Sequence, residues 1–306
     1  MSDAAVLLMA YGTPGSESDI EPYLADIQHG RPLNQTVLDD LKMRYRSIGG
    51  HSPLLEITKA QAAELQKALK SYGVQARVYI GMRHWHPYIR EVVPQILKEG
   101  CSELTALVLA PHYSEMSIGA YRRALEEALP ESKGVLVDFV ESWHDNPVFH
   151  QAVAEKIKDA LHKFPVTARV EIIFTAHSLP ERILQENNPY PSQLRASCQA
   201  VADLLKLDHW GFAYQSAGQT GEKWLGPDIL EALEEIAQAK PNGGHVLVVP
   251  IGFVADHLET LYDIDIEAQE FAKNHGLDLK RTKSMNASPT FITALADVVR
   301  KRHLMQ

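Results

Sequence analysis

The chain has 306 residues, 45% of them hydrophobic and 23% charged, with 18 Gly and 17 Pro that follow no period. Disordered, collagen-like and low-complexity classes are thereby excluded, and the length suits two α/β domains. Thirty basic against 39 acidic side chains leave a formal net charge of −9, so there is no global basic field to hold nucleic acid or an anionic membrane.

The first half alternates short apolar runs with amphipathic stretches. Residues 4–10 read as a buried strand, 58–73 as a helix, 76–81 as a strand, 87–100 as a helix, and 104–110 and 135–140 as strands. Such alternation is the mark of βαβ units around a parallel sheet. An Asn-Pro turn in 143–147 precedes a helical pattern over 148–164, which places a boundary between an N-terminal domain, 1–145, and a C-terminal domain, 146–306, whose last helix is free to pack back on the first. The rhythm then resumes with strands at 170–176, 209–215, 245–252 and 277–282. Segments 107–121 and 247–262 match as an apolar strand, a Pro and a helix start, so the halves read as loose copies, without a solenoid period.

Cys101 and Cys198 are the only thiols, too few for a disulfide framework, a thiolate zinc site or an iron–sulfur cluster. No apolar run nears the ~18–20 residues that span a bilayer, and no basic-plus-apolar leader is evident. The expectation is a cytoplasmic protein with no transmembrane segment.

In open α/β sheets ligands lie beyond the carboxyl ends of the strands. His177 stands there, between the apolar 172–176 and a Ser-Leu-Pro turn, where low dielectric favours a neutral imidazole able to accept a proton or bind a metal. His86 and His144 also follow strands but adjoin proline turns, and they read as structural. Glu259, Asp263 and Glu267 follow the strand at 245–252 with helical spacing i, i+4 and i+8, which puts the three carboxylates on one face. Spacing alone fits a solvated acidic stripe equally well; the position of Glu259 at the strand end favours a path for protons or divalent cations. The glycine-rich phosphate loops, the serine-hydrolase elbow and the zincin helix are all absent.

The segments LLMAYGTP (7–14), IGGHSPL (48–54), YIGMRHWHP (79–87), LVLAPHYS (107–114), TAHSLPE (175–181), YQSAGQTGEKWLGPDI (214–229) and VPIGFVADHLETLYDID (249–265) resemble the ferrochelatases in order and spacing over nearly the whole chain. The Ala-Tyr-Gly-Thr-Pro version of the first motif is similar to the Gram-positive coproporphyrin branch. The resemblance implies two Rossmann-like, chelatase-type domains, each a four-stranded parallel sheet flanked by helices, with a porphyrin cleft between them. It implies a monomer that inserts Fe²⁺ into coproporphyrin III with no cofactor beyond the iron substrate and no iron–sulfur cluster. It further implies that His177 and Glu259 form the inner metal and proton pair, with Asp263 and Glu267 continuing a metal path. Tyr11 would approach the opposite face of the macrocycle, and Arg44, Tyr45, Ser52 and Tyr121 would hold propionates. Amide substitution of Asp263 and Glu267 is then expected to weaken metal delivery and to leave porphyrin affinity nearly unchanged. The chain departs from the family at Gln28-His29-Gly30-Arg31, where an Arg often precedes the Gly, and Arg31 is the substitute at hand. Protoporphyrin IX insertion, a cobalt or nickel tetrapyrrole chelatase, and a non-catalytic porphyrin carrier are the alternative readings.

Overall fold

The computed structural model describes residues 4–130, 134–218 and 221–303. Residues 219 and 220 of the 214–229 motif, and the last three of the expected second domain, lie outside the described residues. Among the described residues eight strands form two sheets. β1 (Ala4–Ala10), β2 (Ala76–Met82), β3 (Glu103–Val108) and β4 (Leu136–Val140) pair in the order β2-β1-β3-β4, and β5 (Val170–His177), β6 (Gly211–Gln215), β7 (Gly244–Val249) and β8 (Leu277–Arg281) in the order β6-β5-β7-β8. Every pairing is parallel. Parallel strands covered on both faces read as unbroken apolar runs, and residues 5–9 of β1 accordingly have no exposed surface. The run at 245–252 is longer than its strand because Pro250 has no N–H to continue the ladder.

The helices are α1 (Ile20–Ile27), α2 (Gln35–Ser47), α3 (Leu54–Ser71), α4 (Ile89–Lys98), α5 (Ala120–Ala128), α6 (Pro147–Leu161), α7 (Tyr190–Leu205), α8 (Ile229–Ala239), α9 (Gln269–Asn274) and α10 (Pro289–His303). Their starts have local causes. The Asn146 side chain accepts from the amides of Val148 and Phe149 at 2.9 and 3.1 Å, capping α6 with Pro147 in its first turn. α3 begins four residues before the expected 58, since Pro53 leads directly into the helix and the Thr58 hydroxyl bonds back to Leu54 O at 2.7 Å.

One core cluster runs through both sheets. It joins Leu8 of β1, Leu65 and Leu69 of α3, Phe149 and Ile157 of α6, Phe174 of β5, and Leu295 and Val299 of α10. Each such side chain, when fully buried, contributes about 1.5–3 kcal/mol. The last helix packs against α3 as well as α6, which sets the carboxyl ends of the two sheets in a fixed relation.

Two glycines let those ends close up. Gly12 has φ +100° and a Cβ there would stand 2.8 Å from Trp85 N. A Cβ on Gly252 would fall 2.6 Å from the Cβ of Ala176, one residue before His177. A side chain at either position would push apart the segments that carry the strand-end residues.

Candidate active site

His177 is the last residue of β5, and its backbone carbonyl accepts a hydrogen bond from the Tyr190 hydroxyl at 3.0 Å. Its Nδ1 meets the carbonyl of Ser178. A carbonyl only accepts, so Nδ1 carries the hydrogen and Nε2 is left as the open acceptor. That nitrogen faces Glu259 Oε2 at 3.6 Å. A second imidazole approaches the same oxygen: His257 Nδ1 donates to Ala255 O at 3.0 Å, and its Nε2 lies 3.7 Å from Glu259 Oε2. The oxygen is itself buried and makes no hydrogen bond, which leaves a polar gap between two imidazoles and a carboxylate. Burial pushes the Glu259 carboxyl up, but the two imidazoles and the Ser216 hydroxyl outweigh it and hold the group down at about 2. Burial drives His257 down and the Glu259 charge more than restores it, so that His257 ends above its ordinary value. Phe253 and Trp224 wall the His177 ring, each with centroids 6.4 Å away.

Beyond Glu259 the helix takes a different form from the one the spacing predicts. Thr260–Ala268 is π-helical, with the wider i→i+5 turn that recurs at functional sites. Asp263 is 5% exposed; it accepts from Arg44 Nη1 at 3.1 Å and from the Ser216 hydroxyl. Burial and the nearby Glu259 charge raise its carboxyl to about 6 against the pull of Ser216 and Arg44. Glu267 is exposed. The line therefore runs from the cleft through a buried carboxylate to solvent, and the four expected metal residues, His177, Glu259, Asp263 and Glu267, do not surround one point. Among the described residues no group of three or more His, Cys, Asp or Glu side chains has metal-holding geometry.

The segment carrying Glu259 is clamped from behind. Arg281, at the end of β8, donates from Nε and Nη2 to both oxygens of Asp265 at 2.7 Å and from Nη1 to Asp256 at 3.0 Å. Asp256 is also held by Ser284 at 2.7 Å and Asn286 at 2.8 Å. One guanidinium thus ties the residue three before Glu259 to the residue six after it. Ser216 and His257 each lay inside a quoted motif at a strand end, 214–229 and 249–265, but no role was read for them. Arg281 escaped the sequence reading, since nothing local marks it.

The opposite wall comes from the first sheet. Tyr11 follows β1 with 40% of its surface exposed and lies against His84, centroids 4.7 Å apart. Desolvation raises its phenol to about 12, with Arg83 opposing and Glu259 and Asp26 adding to the rise. His84 is buried, its Nδ1 2.9 Å from Asp26 Oδ2, and burial lowers it to about 4.

The four expected propionate holders fare differently. Tyr45, Ser52 and Tyr121 are only 2%, 3% and 5% exposed. Tyr45 packs with Ile20, Leu24 and Leu38 and shares its hydroxyl with Thr13 at 3.1 Å. Ser52 Oγ accepts from the Leu54 amide at 3.4 Å, and the Tyr121 ring lies 5.8 Å beneath the Arg83 guanidinium. Arg44 keeps accessible surface, but it is shared between Asp40 at 2.8 Å and Asp263. Arg31 is exposed in the turn after α1.

Comparison with known proteins follows the same outline. The ferrochelatase family profile matches residues 3–303. The chain is 44% identical over 299 residues to the ferrochelatase of Herpetosiphon aurantiacus, covering 96% of this chain and 97% of that protein. It is 41% identical to the coproporphyrin III ferrochelatase of Geobacillus kaustophilus, with 98% and 96% covered, and 39% identical to that of Listeria innocua, with 96% of each covered. Among solved structures, SirB from Bacillus subtilis with Fe³⁺ superposes with a TM-score of 0.60 at 12% identity over 98% of this chain and 95% of that one. CbiX, described as the terminal enzyme for sirohaem biosynthesis in denitrifying bacteria, gives 0.54 at 12% identity over 97% and 98%. These two likenesses establish the fold.

Proposed function

The chain belongs to the ferrochelatase family and is a metal chelatase, and on that premise we propose that it inserts ferrous iron into coproporphyrin III. The observation that carries the reading is the His177–Glu259 pair at 3.6 Å, in a chain 41% identical over nearly its whole length to a coproporphyrin III ferrochelatase.

Metal insertion replaces two pyrrole N–H protons by one Fe²⁺, so the site must accept protons and present a cation. The open Nε2 of His177 takes the two pyrrole protons one at a time, handing the first on before it accepts the second, and the ionised Glu259 stabilises the imidazolium each time. With its carboxyl held at about 2, Glu259 stays charged at neutral pH and serves as counter-ion, not as proton store. Asp263, at about 6, exchanges protons near neutrality and passes them towards exposed Glu267. The same three carboxylates attract the incoming cation. Iron keeps its oxidation state, so the reaction needs no redox cofactor and no iron–sulfur cluster. A monomer acting in the cytoplasm completes the proposal; among the described residues no helix is long and apolar enough to cross a membrane.

Tyr11 is assigned to the face of the macrocycle opposite His177. Arg44 is assigned to a propionate, because it is the one of the four candidates with accessible cationic surface. Tyr45, Ser52 and Tyr121 join it only after their hydroxyls are exposed by rearrangement.

The Arg44–Asp263 pair changes the expected behaviour of the acidic path. Glu267→Gln should raise the apparent KM for Fe²⁺ and leave porphyrin affinity unchanged. Asp263→Asn should raise the iron KM further and also tighten porphyrin binding by a few-fold, since Arg44 loses a competitor for the propionate. Equal porphyrin dissociation constants for wild type and Asp263→Asn would show that Arg44 does not hold a propionate.

Substrate choice tests the proposal itself. Under anaerobic conditions with Fe²⁺, kcat/KM should favour coproporphyrin III, with four propionates, over protoporphyrin IX, with two. Each charge-assisted hydrogen bond to a carboxylate can contribute roughly 1.5–3 kcal/mol, less at an exposed rim. Equal or reversed values would place the enzyme with protoporphyrin, and a strong preference for Co²⁺ or Ni²⁺ would place it with other tetrapyrrole chelatases.

A further inference from the structure

We propose that Arg83 binds a carboxylate of the macrocycle on the edge away from Arg44 and thereby sets the preference for a tetracarboxylate porphyrin. The inference goes beyond the proposed function and rests on its reading of the cleft as a porphyrin site.

Arg83 is the first residue past β2. Its amide bonds to Ala10 O at 2.9 Å, and the next amide, of His84, bonds to Tyr11 O at 2.9 Å. These bonds extend the sheet pairing by two residues, so the Arg83 backbone is fixed beside Tyr11. Its guanidinium then reaches over the Tyr121 ring, 5.8 Å from the centroid. The positive charge is felt at Tyr11, Tyr121 and His84 alike, in keeping with a backbone fixed beside Tyr11 and a guanidinium over Tyr121.

What distinguishes this arginine is the lack of a counter-ion. Arg44 is shared by Asp40 and Asp263, Arg90 lies 3.7 Å from Asp26, and Arg281 binds Asp256 and Asp265. Among the described residues Arg83 has no carboxylate within ion-pair distance, and the other arginines without one, Arg31, Arg169 and Arg195, are exposed to water. Arg83 is half-buried. Holding a guanidinium partly out of water with no anion costs free energy that an arriving carboxylate recovers.

The space beside it fits a propionate arm. A cavity of about 300 Å³ is lined by Arg83, Ile89, Arg90, Ala124 and Glu127. Ile89 and Ala124 suit two methylenes, and the guanidiniums of Arg83 and Arg90 against the single carboxylate of Glu127 leave the lining net positive for a terminal carboxylate. A vinyl group offers the Arg83 guanidinium nothing. Protoporphyrin IX carries its two propionates on adjacent pyrroles, so both serve one edge of the ring and are satisfied on the Arg44 side. Coproporphyrin III has propionates left over for the Arg83 side.

The test is direct binding of the metal-free porphyrins, followed by fluorescence quenching, to wild type, Arg83→Gln and Arg83→Lys. Arg83→Gln should weaken coproporphyrin III on the order of 10-fold or more and change protoporphyrin IX by less than two-fold. Arg83→Lys keeps the charge but not the planar fork, and should recover part of the loss with the iron KM unchanged. Unaltered coproporphyrin III affinity in Arg83→Gln, or equal loss for both porphyrins, overturns the inference. Failure of wild type to insert Fe²⁺ into coproporphyrin III sinks the proposed function instead, and the binding comparison still decides the role of Arg83.

Discussion

His177→Ala is expected to lower the rate of iron insertion by at least ~10²-fold, the range associated with loss of a positioned proton acceptor, while leaving the fold intact. The open Nε2 at the end of β5 is the acceptor, and its direction is set because Nδ1 is committed to Ser178 O. The neighbouring imidazoles are committed elsewhere: His257 Nε2 already lies 3.7 Å from Glu259 Oε2, with its Nδ1 on Ala255 O, and the buried His84 is turned to Asp26. The fold should survive because what anchors this corner is the backbone. Tyr190 bonds the His177 carbonyl and not the ring, and 34% of the His177 side chain is already exposed. Circular dichroism and the melting temperature should therefore barely change. Activity within a few-fold of wild type would make His177 structural and remove the centre of the mechanism.

The strands were legible because a parallel sheet covered on both faces requires unbroken apolar runs, and β1, β5 and β7 are such runs. The location of the site followed from the same fact, since polar residues at the carboxyl end of a buried strand have few structural reasons to be there. His177 and Glu259 could each be placed at a strand end on that basis, while their pairing rested on the resemblance to the ferrochelatases. The contacts of Arg44 could not be placed. Its partner Asp263 lies 219 residues further along the chain, and no local pattern distinguishes a guanidinium that will meet a ligand from one that will meet a carboxylate so distant in sequence. The burial of Tyr45 depended likewise on α1 packing against α2, the helix that carries it, a helix pair without a strong periodic signal. The π-helical winding of Thr260–Ala268 is a tertiary outcome as well: Arg281 fixes Asp256 and Asp265 from a different strand, and the turns between them accommodate that spacing.

Glu259→Gln is the second change expected to abolish insertion, again by ~10²-fold or more, although it preserves the shape of the side chain. A neutral amide between His177 and His257 cannot stabilise an imidazolium at 3.6 Å, and it attracts no cation into the gap. Two further effects separate this electrostatic role from a packing defect. His257 stands above its ordinary pKa chiefly because Glu259 offsets its burial; in the variant its pKa should fall, as read from the pH dependence of its imidazole NMR signals. The stability profile should change in a defined window. The folded Glu259 carboxyl at about 2 lies below its ordinary 4.5, so the stability it contributes is fully present above 4.5 and is lost as the pH falls towards 2. That contribution is bounded at roughly 3 kcal/mol and is smaller in practice, because a third of the side chain meets solvent. Glu259→Gln should therefore unfold in acid along a shallower curve between pH 4.5 and 2. A variant that retains insertion, or one that loses it with His257 titrating as in wild type, would show that the Glu259 charge is not what the chemistry uses.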